Sequence, residues 1–114
     1  MTPVDPFFLD DEDPASVQLL LSTGDLPVDS AVEAHGHLAN GYFWTGVAEY
    51  LISSYRPDLS GEFEFDSEAG TFAVFGDREQ LLTLAALMRP AVTDSDVVGA
   101  LITTAAAAGH EFDD

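Results

Sequence analysis

Glu33, His35 and His37 stand at alternate positions, and an extended backbone turns alternate side chains to one side, the arrangement a metal site asks for. A helix through Ala31 to His35 would instead scatter them, and metal sites draw three or four ligands with outer hydrogen-bond support. Solvated or core-edge histidines are therefore the competing reading. Glu62, Glu64 and Asp66 alternate in the same way with Phe63 and Phe65. On a strand the two rings share one face and the three carboxylates the other, giving either a solvated sheet face or a docking surface for a basic partner. The run Asp10, Asp11, Glu12, Asp13 reads either as a solvated loop or as an acidic loop suited to a cationic cleft. Tyr42 and Trp44 follow Asn40-Gly41; their residue types both anchor cores and dominate interfaces, and Phe43 is expected to be the exposed member of the group.

Catalytic chemistry finds little support. With 21 acids in 114 residues, close carboxylate pairs arise anywhere and carry no specificity for general acid and base work. There is no glycine-rich phosphate loop followed by lysine and no Gly-x-Ser-x-Gly turn. Ser22, Ser30, Ser53, Ser54 and Ser67 carry no sequence mark of activation. The absence of cysteine excludes a disulfide framework, thiolate metal ligation and a thiol nucleophile together. The expectation is a protein that binds, without catalysis and without a cofactor; a metal-dependent enzyme centred on His35 and His37 is the outlying alternative.

Charge is the most unusual property: Arg56, Arg78 and Arg89 face 21 acids, for a net charge of −18, and there is no lysine. Nucleic acid is repelled, whereas a basic protein partner is attracted and its association accelerated at low salt. A lysine-free acidic surface equally suits solubility in high salt. The chain has the length of one domain, and its 46% hydrophobic content is enough to bury about two-thirds of the surface exposed on unfolding. Met1 to Asp13 gathers acids and prolines, unlike a secretory leader, and no apolar run approaches the roughly 20 residues that span a bilayer. Cytoplasmic location and no membrane partner are the expectations.

These residues need elements to position them. Pro3 to Leu9 reads as a strand closed by Asp10 to Pro14, and Ala15 to Ser22 as its return. Asp29 or Ser30 is expected to cap a short helix ending at Gly36, and Tyr42 to Tyr55 repeats apolar residues at helical spacing until Arg56-Pro57 stops it. Glu62 to Asp66 and Thr71 to Phe75 make a second hairpin through Ser67 to Gly70. Asp77 caps a helix limited by Pro90, and Thr93 or Asp94 caps a last helix stopped by Gly109, with His110 to Asp114 fraying. Two strands then helix, repeated, predicts a single α+β domain over 1–114: an antiparallel sheet of about four strands from two hairpins, with helices mainly on one face.

Read in order, Gly36, Asn40-Gly41-Tyr42-Phe43-Trp44, the hairpin Glu62 to Phe72 and Gly76-Asp77-Arg78-Glu79 with its leucine-rich helix resemble the immunity protein 51 family over roughly Pro6 to Leu101. The resemblance implies a bacterial immunity protein that binds and neutralises a cognate toxin domain, by occlusion. Such toxins are often nucleases with basic clefts, the sign complementary to −18. The candidate contact residues are Asp10, Asp11, Glu12, Asp13, Tyr42, Trp44, Glu62, Glu64 and Asp66. The alternative is a non-catalytic interaction or regulatory domain adapted to high salt.

Overall fold

The computed structural model describes residues 2–114, with side chains from Val4 onward; Met1 of the acidic leading segment lies outside the described residues. The chain begins with three strands, β1 (Thr2–Val4), β2 (Phe7–Asp10) and β3 (Gln18–Ser22). The single strand expected over Pro3 to Leu9 is broken at Asp5-Pro6, because Pro6 has no N–H to give a ladder. β1 folds back antiparallel on β2 with Val4 opposite Phe7. The helices are α1 (Asp29–Ala34), α2 (Gly41–Tyr55), α3 (Arg78–Thr93) and α4 (Ser95–Ala107). Between α2 and α3 lie a short 3-10 turn over Pro57–Leu59, then β4 (Glu64–Phe65) and β5 (Thr71–Phe75).

Among the described residues the strands form one antiparallel sheet in the order β1-β2-β3-β5-β4, so the two expected hairpins join through β3 and β5. The second hairpin closes tightly: Glu68 N–H donates to the Thr71 carbonyl at 2.8 Å and Thr71 N–H returns to Glu68 at 3.2 Å. Only Glu64 and Phe65 of the expected Glu62 to Asp66 strand join the ladder. The backbone before them is still turning, with Gly61 at φ +84° and Glu62 N–H bonded to Leu59. The alternation nevertheless holds: Phe63 and Phe65 pack against the core while Glu62, Glu64 and Asp66 are exposed.

α2 packs over β5 and α3 over β2 and β3, all on one face of the sheet. Phe7, Leu9, Leu19, Leu21, Phe72 and Val74 meet Phe43, Trp44, Leu81, Leu84 and Met88 there. Three caps hold helix starts. The Asn40 carboxamide accepts from Phe43 N–H at 2.9 Å, Asp77 from Glu79 and Gln80 N–H, and Asp94 from Asp96 and Val97 N–H. α1 differs from expectation. Its cap position is Val28, and Asp29 inside the helix instead accepts from Leu26 N–H at 3.3 Å; burial pushes the Asp29 carboxyl above its ordinary value.

Two expected stops are revised. α3 runs through Pro90 to Thr93, the bond lost to the Ala86 carbonyl being offset by the burial of Ala91 and Val92 beyond it. The tail expected to fray is docked. Asp114 accepts from His37 Nδ1 at 2.9 Å and Leu38 N–H at 2.6 Å, Asn40 Nδ2 donates to its backbone oxygen, and His110 Nε2 donates to the Gly46 carbonyl at 3.0 Å. Phe112 fills the space at Gly46, meets the His37 and His110 rings edge-on and lies tilted against Phe43.

A Cβ at Gly41 would strike the Glu68 and Thr71 carbonyls and stand 2.8 Å from the Thr71 carbonyl carbon, all of it backbone that cannot rotate away. Gly41→Ala should therefore cost about 1–3 kcal/mol despite alanine's better helix propensity, read as a lower urea midpoint at unchanged slope. The docked tail should depend on pH. Burial raises the Asp114 carboxyl, but the Leu38 N–H and the His37 ring more than offset it and hold it below the ordinary 3.8. A lowered carboxylate stabilises above its unfolded value and loses that contribution as pH falls through its folded one. Hydrogen-exchange protection of the Leu38 amide should thus persist at neutral pH and be lost only as the pH falls below 3.8.

Candidate functional site

The face of the sheet turned away from the helices carries the acids singled out in the sequence. Directly opposed residues in an antiparallel ladder share a face. Asp10 opposes Gln18, Gln18 opposes Phe75, and Phe75 opposes Glu64, so these four form one row across the sheet. Its ends, Asp10 and Glu64, are three interstrand spacings apart, about 14 Å. The next row on the same face is Phe8, Leu20 and Ala73, extended by Asp66, whose N–H donates to the Ala73 carbonyl at 2.9 Å. The row between them, Leu9, Leu19, Val74 and Phe65, points into the core.

The result is an apolar strip of Phe8, Leu20 and Phe75 flanked by the carboxylates of Asp10, Glu64 and Asp66. Phe8 is 47% exposed, a large ring left uncovered. The residues that follow the first acidic run meet the second segment here: Ala15, Ser16 and Val17 of the β2–β3 connection border one shallow depression together with Glu64, Phe75 and Gly76. Such a face can take an apolar side chain at its centre and cations at both flanks.

The acids of the β2–β3 loop have distinct roles. Asp11 accepts from Arg78 Nε at 3.1 Å, and Arg78 also reaches Glu79 at 3.2 Å; the Asp11 carboxylate raises the Arg78 guanidinium further above its already high value. Asp11 is thus a tether between the loop and the start of α3. Asp13 accepts from Ala15 N–H at 3.0 Å and shapes the turn, with Glu12 and Asp13 both exposed. Glu62 is exposed beside β4.

The aromatic candidates separate by helix phase. Asn40 fixes the start of α2, which turns Phe43, Trp44, Val47, Ala48 and Leu51 inward and leaves Tyr42 43% exposed. Trp44 and Phe43 are fully buried, so Trp44 drops out as a contact residue and Tyr42, not Phe43, is the exposed ring. The three metal candidates do not converge on one point. Glu33 and His35 are exposed, His35 Nδ1 is bonded to the Ala31 carbonyl at 2.9 Å, and His37 belongs to the docked tail. Among the described residues no three His, Cys, Asp or Glu are placed to hold a metal. The residues that sequence reasoning missed are Phe8, Gln18, Leu20 and Phe75; the alternation in Phe7 to Asp10 and Gln18 to Ser22 is the signal that marks two-faced strands.

Residues 7–107, from the start of β2 to the end of α4, match the model of the immunity protein 51 family. The chain belongs to the immunity protein 51 family. Its role is that of an immunity protein, and its partner a toxin. Comparison with curated proteins gives no match, and neither does comparison with solved structures. In this immunity protein the matched span contains the whole uncovered face described above, while β1 and the docked tail lie outside it. Among the described residues no helix is long and apolar enough to cross a membrane.

The helix-phase assignment is checked by a pair of substitutions. Trp44→Ala should cost about 3–5 kcal/mol of stability in urea unfolding, whereas Tyr42→Ala should change it by less than about 0.5 kcal/mol.

Proposed function

We propose that this immunity protein neutralises its cognate toxin by laying the uncovered sheet face over a basic surface of the toxin domain, occluding the toxin's active site. The observation that supports this most is the row joining Asp10 to Glu64 across Gln18 and Phe75, which brings acids from two distant segments onto one face with an apolar centre. The charge agrees. The arginines are committed within the chain, Arg56 to Asp58, Arg78 to Asp11 and Glu79, and Arg89 to the Asp5 carbonyl, so the surplus of carboxylates faces outward. A nuclease cleft, built to hold phosphate, has the complementary sign. The chain acts in the cytoplasm as a stoichiometric inhibitor and contributes no catalysis.

Co-expression with the toxin domain encoded beside it should restore growth and give a complex on a sizing column. The triple reversal Asp10→Lys, Glu64→Lys and Asp66→Lys should lower the association rate by at least about tenfold and flatten its dependence on ionic strength. Rescue and association rate both unchanged in that variant would remove the face from the interface. The lack of lysine among so many acids supports a second reading, an interaction domain whose acidity serves solubility in salt. On that reading urea stability climbs steadily with salt and no neighbouring toxin is bound.

A further inference from the structure

The helical side of the molecule carries an apolar groove of about 570 Å³, away from the uncovered sheet face. α2 contributes Tyr50 and Tyr55 to its lining, α3 contributes Leu87, and α4 contributes Val97, Ala100 and Leu101. Tyr55 is 67% exposed and Val97 37%, so large apolar groups stand uncovered around a concavity rather than scattered over the surface. Helical periodicity makes the groove. Val97, Ala100 and Thr104 follow one another on an exposed stripe of α4, beside Val98, Leu101, Ile102 and Ala105, which are buried. α4 is therefore apolar on more than the face its own core needs.

Two features give the groove a chemistry. No arginine lines it: Arg89, although next to Pro90, donates to the Asp5 carbonyl beside a separate depression bordered by Val4 and Leu82. Asp96 stands one turn before Ala100 on the same side of α4, which adds negative charge at the rim. Ala86 and Ala100 are small enough to admit a close backbone.

We propose that this groove is a second docking site, and that its occupant is an amphipathic helix from a partner protein, with an apolar ridge on one side and lysines or arginines along its flanks. Helix-in-groove recognition needs an apolar trough of this kind, with tyrosines as anchors. Charge selects the occupant. A second copy of this chain would bring another net −18 and be repelled at low salt, whereas basic flanks are drawn to the acidic molecule and to Asp96 at the rim. The proposal stands independently of the sheet-face reading.

Fluorescence anisotropy with three labelled synthetic helical peptides tests it: a leucine ridge flanked by lysines, the same ridge flanked by glutamates, and the lysine peptide with its ridge scrambled. The first should bind, and the other two should bind at least about tenfold more weakly. Ala100→Trp fills the groove from an exposed position and should weaken the first peptide at least about tenfold; Tyr55→Ser, also exposed, should do the same if the larger ring disturbs folding. Equal binding of the first and scrambled peptides would overturn the proposal, as would undiminished binding by both variants. Self-association at low salt that Ala100→Trp abolishes would also overturn it, by making a second copy the occupant.

Discussion

The close approach of a helix start to a hairpin turn organises this fold. The turn Glu68 to Thr71 receives Gly41 N–H on the Ala69 carbonyl at 3.1 Å and Thr23 N–H on the Gly70 carbonyl at 3.1 Å, and the Thr23 hydroxyl bonds Ala69 at 3.0 Å. One turn thus gathers the end of β3, the start of α2 and the hairpin of β4 and β5. Thr45 Oγ1 and Ser67 Oγ, 2.7 Å apart, extend the junction one helical turn further. Backbone meets backbone here, so the residue at the contact must be glycine. The direction of α2, and with it the burial of Phe43 and Trp44, follows from that constraint.

With α2 and α3 anchored on one face of the sheet, the other face is left uncovered, and this division separates the molecule's two kinds of residue. Among the described residues every buried residue of the core is apolar, so the carboxylates stay outside it. The few cations tie loops to helices, as Arg78 ties Asp11 to the start of α3. The negative field is therefore a property of the surface, where it can attract a partner without opposing the packing beneath. Mutual repulsion among so many carboxylates is the cost, and an apolar core of this extent offsets it.

The docked tail shows how a polar segment becomes structural without entering the core. Phe112 occupies the volume that a side chain at position 46 would take, and Asp114 supplies acceptors to the segment leading into α2. The tail thereby covers the same helix start that the hairpin turn supports from its other side. His37, which read from sequence as a metal ligand or as a solvated or core-edge histidine, and His110, expected to fray with the tail, are aromatic and hydrogen-bonding members of this segment's contacts.

Local sequence alone determined a good deal. Asn40, Asp77 and Asp94 act as caps because a short polar side chain reaches its own helix's N–H groups whatever surrounds it. The alternation of Glu62 to Asp66 fixed which side chains face water, because the strand period is 2. The family resemblance, carried by short motifs in order, pointed to the immunity role. Tertiary structure decided what depends on partners distant in sequence. The pairing of β3 with β5 brought Asp10 into the row of Glu64; the backbone contact at Gly41 set the direction in which α2 buries Trp44 and not Tyr42; and Phe112 and Asp114 have their sites on α2 and the segment before it. Pro90 was misread as a helix stop because a local rule prices the missing hydrogen bond and not the packing of Ala91 and Val92 beyond it, both buried in the core.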